Sequence, residues 1–274
     1  MNGIPTAEEW NEISLAAERS RTLDEERARW DATAPRYAKK RNRSGYLAQL
    51  TELLDLEPGE SVLDMGCGPG VLSVPLAQAG HPVVAVDFSD GMLAELRSAV
   101  EKAQVGDRVR IFKRAWQEDW GDIPRADVAV SSRSMTTRDI ADAVAKLESK
   151  AASRVVVTTE AGEVPWFDAR VARALGREVA PATMAGGLVV LLNYLLASGR
   201  YPEVRYIVTP RVPQSDSADE LRQFMATAAG VTPDEQPLFD AFFEEHVLPR
   251  PDGGVMMDYT QETRWACLCW RPVA

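Results

Sequence analysis

The chain is poor in histidine, in cysteine, in positive charge and in long apolar runs, and each shortage removes a class of function. Three cysteines, Cys67, Cys267 and Cys269, in 274 residues cannot build a disulfide framework, and none sits in a C-x-x-C redox pair. Lysine and arginine together number 31 against 41 acids, a formal charge of −10. Such a field repels a polyphosphate backbone, so no nucleic-acid partner is expected. The most apolar stretch, Leu188 to Ala197, is only ten residues long and contains Asn193. A bilayer span needs ~20 residues, so this stretch reads as a buried helix and no membrane contact is expected. The opening MNGIPTAEEW carries acids where a secretory signal needs a positive end and an apolar run, which together with the sparse cysteines points to a reducing cytoplasm. Repeats and low-complexity tracts are also missing.

What is present, 45% hydrophobic and 26% charged residues, is the composition of a soluble globular protein. The length suits one α/β domain, residues 1–274, with insertions. Residues 1–45 read as a helical lid, with helices at Glu8 to Ser20 and Leu23 to Thr33 and a break at Pro35; a third helix, Ser44 to Leu56, stops at Pro58-Gly59. Residues 46–160 form the core, where the apolar runs SVLDMG, PVVAVDF, VRIFKRA, ADVAVSS and RVVVTTE alternate with helices at Val71 to Ala79, Asp90 to Ala103 and Ile140 to Ser149. Apolar, β-branched runs joined by helices imply a parallel sheet covered on both faces. The pattern is interrupted at 161–186, resumes with an apolar helix from Gly187 and the strand EVRYIVT, and is interrupted again at 210–262, where helices at Ala218 to Ala229 and Asp234 to His246 lie among prolines and acids. The interruptions read as substrate-covering insertions, and TRWACLCW closes the chain as a last strand. Cys267 and Cys269 share a face of that strand with Trp265 and read as core.

The sharpest local signal is Val62-Leu63-Asp64-Met65-Gly66-Cys67-Gly68-Pro69-Gly70, a buried strand turning into a helix through alternating glycines. Glycine permits positive φ and brings backbone amides close to a ligand. In an open parallel sheet, ligands bind at the carboxyl ends of the strands, where this turn falls. Asp87 ends the second strand, 21 residues after Gly66, and an acid there accepts ribose hydroxyls. Helix capping, the other duty open to Asp87, is within reach of Ser89 or Asp90. A dinucleotide loop wants a third glycine where Val71 stands, and Asp64 beside the loop repels a diphosphate but suits an ammonium group. No Lys-Ser or Lys-Thr follows, which excludes a phosphate-binding loop of that type. A nucleoside with a cationic amino-acid tail fits best.

VLDMGCGPG followed by VAVDFSDGML resembles motifs I and II of the class I S-adenosylmethionine-dependent methyltransferases, in particular their small-molecule branch. The likeness takes in Trp30-Asp31-x-x-Ala34-x-x-Tyr37 upstream and ADVAVSSRS downstream. It implies a doubly wound, Rossmann-like seven-stranded sheet, mostly parallel with an antiparallel last strand, and S-adenosylmethionine as cofactor. By the same resemblance Asp64, Gly66, Cys67, Gly68 and Gly70 hold the methionine part, Asp87 binds the ribose, and Phe88 and Met92 pack near ribose and adenine. Tyr37 caps the carboxylate end, and Ser131 and Ser132 end the fourth strand beside the sulfonium. Many relatives place an acid after strand three to meet the adenine, whereas this chain has Arg114-Ala115-Trp116; Ala115, Trp116 and backbone amides take that place.

The expected acceptor is a small molecule. Arg133 reads either as a fork for an anionic acceptor group or as a partner of Asp139 or Asp127. Trp166 and Phe167 are candidates for a dry acceptor pocket. No base is assigned; His246 and Glu160 are the named candidates, with Tyr37 a third, and His246 reads first as a solvated helix end. His81 reads as a surface turn residue. A basic cluster of Arg36, Lys39, Lys40, Arg41 and Arg43 reads as a solvated face or as a trap for a carboxylate. The fourth strand ends in serines, not acids, so no metal site is expected. Two rival readings stay open, a non-catalytic S-adenosylmethionine-binding module and a nicotinamide-dependent oxidoreductase. The amphipathic N-terminal helices leave a homodimer possible.

Overall fold

The computed structural model describes residues 4–17, 21–39, 45–161, 168–178 and 187–273. The chain divides into two compact units. The first takes in Met1–Thr159, Gly187–Ile207 and Ala266–Ala274, the second Glu160–Gly186 and Val208–Trp265.

The first unit is built on a seven-stranded sheet. Its strands are β1 (Val62–Met65), β2 (Val83–Asp87), β3 (Val109–Lys113), β4 (Ala126–Ser132), β5 (Ala151–Glu160), β6 (Glu203–Arg211) and the chain's last strand, β10 (Gln261–Trp270). They run in the order β3-β2-β1-β4-β5-β10-β6, mostly parallel with one antiparallel strand. Strands β1 and β2 are buried along their whole length, as expected of a parallel sheet covered on both sides. Chain order reverses between β1 and β4, and such a switch point opens a crevice at the carboxyl ends of the strands. Val62 to Met65 pair with Val83 to Val86, so Asp87 lies one residue beyond the end of β1, opposite Lys113 of β3.

The helices of this unit are α1 (Ala7–Ala16), α2 (Leu23–Lys39), α3 (Tyr46–Leu54), α4 (Ser73–Gln78), α5 (Asp90–Ala103), α6 (Ile140–Lys150) and α8 (Gly187–Ala197). A capping box starts α1, with the Glu9 amide donating to Thr6 Oγ1 and the Thr6 amide to Glu9 Oε2. Asn11 of α1 holds the start of α6, donating to Asp139 Oδ1 (3.2 Å) and accepting from the Ala141 amide (3.0 Å). Helix α2 corrects the expected break at Pro35, which lies inside the helix. Proline has no N–H for the carbonyl four residues back, at Asp31. The backbone there lies directly against Gly91, so close that a Cβ on Gly91 would fall 2.9 Å from the Asp31 carbonyl oxygen. Tertiary packing on α5 thus overrides the local signal. His81 is likewise not a surface residue: it is buried, and its Nδ1 lies 2.9 Å from the Glu60 carbonyl.

The second unit has its own core. Helices α7 (Ala169–Ala174), α9 (Ala218–Ala229) and α10 (Gln236–His246) accompany a three-stranded sheet, β7-β9-β8, of Gln214–Ser215, Val255–Met257 and Val247–Pro249. Phe239, Phe243 and Met257 are fully buried there with Val171, Leu221 and Met225. The sequence reading expects only helical pieces in this stretch; the hairpin from β8 to β9 turns on Pro251-Asp252-Gly253-Gly254, where Gly253 has φ +90°.

Candidate functional site

The glycine turn at the end of β1 is held by its neighbours. The amides of Gly66 and Cys67 both donate to the Val86 carbonyl (2.7 and 3.0 Å). The Gly68 amide donates instead to Asp87 Oδ2 (2.9 Å), whose Oδ1 accepts from the Ser89 amide (2.9 Å). All three glycines have left-handed backbone, with φ of +76°, +53° and +86°, which a side chain disfavours. Their surroundings differ. A Cβ on Gly66 would fall 2.3 Å from that of Ser134, and one on Gly70 would fall 2.5 Å from Leu96 Cδ1, whereas one on Gly68 would meet nothing nearer than the Met92 sulfur at 3.9 Å. Two glycines therefore answer to the protein's own packing, whereas a side chain on Gly68 would make no contact closer than van der Waals distance.

Two carboxylates are sunk into this turn. Asp64, 2% exposed, accepts a 2.6 Å bond from Ser73 Oγ. Burial pushes its pKa up to about 6, helped by the nearby Asp87 charge. Burial raises Asp87 as well, opposed by the amides of Ser89 and Gly68. The Cys67 thiol is pushed up by burial, which makes it an inert space-filler.

Two cavities flank the turn. The first is bordered by Tyr37, Tyr46, Asp64, Gly68, Ser132 and Arg133. The second, of about 210 Å³, lies among Trp30, Phe88, Ala115, Trp116, Thr136 and Arg138. The Trp116 ring is fixed by its Nε1–H, which donates to the Ser134 carbonyl (2.9 Å). The Ala115 amide is occupied by Glu118 Oε2 (2.7 Å), so the expectation of an amide for adenine at this position is corrected. Arg114 turns to Asp122 (2.7 Å).

Two further residues of the expected set are buried. Ser131 is completely buried and its hydroxyl faces inward, 2.9 Å from Ser134 Oγ, because alternate residues of β4 face opposite sides. Ser132 is the one of the pair at the crevice. Met92 is 3% exposed and packs beneath Gly68 as part of the core. Trp166 and Phe167 lie outside the described residues, as do Lys40, Arg41, Arg43 and the side chain of Lys39. In the second unit, His246 Nδ1 lies 3.0 Å from Asp258 Oδ1, and burial raises Glu160 above the usual carboxylate range.

Several residues with a part in the site carry no local signal. Ser134 Oγ donates to the Met65 carbonyl (2.6 Å) and fixes the neighbour that demands glycine at 66. Tyr46 is buried, its hydroxyl 2.9 Å from Ser132 Oγ and 2.7 Å from Thr158 Oγ1. Asp31 accepts from Ser89 Oγ (2.5 Å) and from the Gly91 amide (2.9 Å), so α2 caps the N-terminus of α5. These bonds join residues 58 to 112 positions apart.

Residues 62–156 match the methyltransferase-domain family. An uncharacterised protein of Haemophilus influenzae is 36% identical over 184 residues, 66% of each chain. A demethylmenaquinone methyltransferase of Corynebacterium glutamicum is 47% identical over 58 residues, 21% of this chain and 25% of that one. The matches thus cover only part of these relatives' own length. The crystal structure of a putative methyltransferase from Bacillus halodurans superposes with a TM-score of 0.53, covering 83% of this chain and 99% of that one at 16% identity, which shows a shared fold.

Proposed function

The chain belongs to the class I S-adenosylmethionine-dependent methyltransferases, and from that premise we propose that it transfers the donor's methyl group to a small-molecule acceptor, holding the donor along the tips of β1, β2 and β3. One observation carries this reading. Asp87, the acid that closes β2, is bonded to the amide of Gly68, a turn glycine that borders a cavity and whose Cβ position is uncrowded. With two amides already accepted, Asp87 keeps lone pairs for a ribose diol. Trp30, Phe88 and Trp116 give the second cavity flat apolar faces of the kind an adenine ring prefers, set among the polar Thr22, Glu26, Arg29 and Arg138. Asp64 suits an ammonium group, since a buried carboxyl poised near neutrality ionises when a cation arrives. A diphosphate in the same place would face two buried acids.

When bound, the donor supplies an already activated methyl group. The work left to the chain is alignment, which can be worth ~7–11 kcal/mol of barrier. Asp87 and Gly68 fix the ribose, the aromatic walls fix the base, and Ser132 stands at the β4 tip where the acceptor approaches. Helix α2, anchored through Asp31, acts as the lid over the adenine cavity. The chain's net negative charge disfavours a polyanionic acceptor, and the name of the Corynebacterium relative, demethylmenaquinone methyltransferase, supports a small one.

Calorimetric titration tests the reading. S-adenosylmethionine is expected to bind at micromolar concentration or tighter, and Asp87→Ala to weaken it by about tenfold or more, the loss of one charge-assisted bond. Unchanged affinity in that variant, or tighter binding of NAD than of S-adenosylmethionine, overturns it.

A further inference from the structure

Arg133 is the first residue beyond β4 and has φ +56°, a left-handed conformation that a long side chain adopts only when its surroundings hold it there. They do. Its amide donates to Thr158 Oγ1 (3.0 Å) and lies 3.3 Å from the Thr158 carbonyl. Its guanidinium carbon sits 4.0 Å from the centre of the Tyr46 ring. That ring is itself immobilised, 4% exposed with its hydroxyl tied to Ser132 and Thr158. Stacking a guanidinium on an aromatic face pre-organises it. The cavity these two residues border also contains Asp64, Gly68 and Tyr37. One small cavity thus pairs a buried acid with a fixed cation across a glycine turn, the complement of an α-amino acid zwitterion.

On the reading of the site given above, we propose that Arg133, stacked on Tyr46, binds the carboxylate of the donor's methionine tail opposite the ammonium site at Asp64. This moves Arg133 from the acceptor side, where the sequence suggests it, to the donor side. It also gives Tyr46, Ser132 and Thr158 a purpose, as positioning residues that hold the guanidinium in place. Tyr37 then closes the same end as a neutral hydrogen-bonding partner.

The test compares two ligands that differ only in the group concerned, S-adenosylmethionine and its decarboxylated form, by calorimetry on the wild-type chain and on Arg133→Met. Loss of a charge-assisted bond to a carboxylate is expected to weaken S-adenosylmethionine binding by about 10- to 100-fold. Binding of the decarboxylated ligand should change by less than about twofold. Arg133→Gly, which suits the left-handed backbone, should show the same selectivity loss in a chain at least as stable, and Arg133→Lys should recover part of it. Equal weakening of both ligands, or of neither, overturns the assignment, as does a raised acceptor KM with donor affinity untouched. If the wild-type chain binds neither ligand, the methyl-donor reading itself falls, and this assignment with it.

Discussion

The tips of β1 and β2 and the aromatic core of the second unit place their polar groups on opposite terms. At the tips, Asp64 and Asp87 are buried carboxylates held by a serine hydroxyl and by backbone amides, an arrangement whose desolvation cost raises both acids. In the second unit, Arg222 pairs with Asp240 and Glu244, and Arg177 with Glu235, around a core of Phe239, Phe243 and Met257, and its buried acid, Asp168, is held by the side chains of Tyr259 and Gln261. The tips thus set two buried acids beside a left-handed glycine turn, while the second unit surrounds its aromatic core with paired charges. Substitutions separate the two.

The largest effect is expected in the second unit. Phe243→Ala empties a fully buried ring position and should cost about 3–5 kcal/mol in denaturant unfolding. At the tips, the largest effect depends on pH. The pKa of Asp64 lies at about 6 in the folded chain against a reference of 3.8, so folding takes up a proton between these values. Stability therefore falls as pH rises through that window, by about 3 kcal/mol in all. Asp64→Asn should flatten the corresponding stability profile, measured by urea unfolding from pH 4 to 7. Donor binding should run the other way, tightening as pH rises through about 6, because the ammonium group requires the ionised carboxylate; affinity independent of pH over that range removes Asp64 from the site. The glycines sharpen the contrast. Gly66→Ala, with its Cβ against Ser134, should cost about 2–3 kcal/mol by thermal melting. Gly68→Ala has room and should cost about 1 kcal/mol of backbone strain while weakening donor binding. The smallest effect is expected from Arg222→Ala, whose partly exposed pairs are worth less than about 1 kcal/mol. The Arg222 guanidinium also lies 4.3 Å from the centre of the Phe243 ring, so the two losses should not add.

Legibility in the sequence follows the distance over which each contact is made. Helix α5 at Asp90–Ala103, strand β4 at Ala126–Ser132 and helix α9 at Ala218–Ala229 have the bounds that local periodicity and capping assign. Pro35 misleads because a contact with Gly91, far along the chain, outweighs its local preference. The strands β7 to β9 are two or three residues long, too short to show alternation, although the Asp-Gly step at the β8–β9 hairpin is a turn signal. At the candidate site, the glycines and the two acids are visible because the turn is contiguous. The roles of Ser134, Tyr46 and Asp31 are not, although Ser134 and Asp31 lie in the stretches that carry the resemblance, since each acts through a partner 58 or more positions away. The opposite faces of Ser131 and Ser132 follow from strand alternation, which separates the two once β4 is in place.

Ser89 has neighbours that make it a junction. Its hydroxyl serves Asp31 of α2 and accepts from the Met92 amide, while its own amide serves Asp87. One residue thus wires α2 to the acid that ends β2, through two bonds of 2.5 and 2.9 Å. Any rearrangement that lifts α2 strips a partner from the residue that orients Asp87, so on the proposed reading the gate and the grip belong to one circuit.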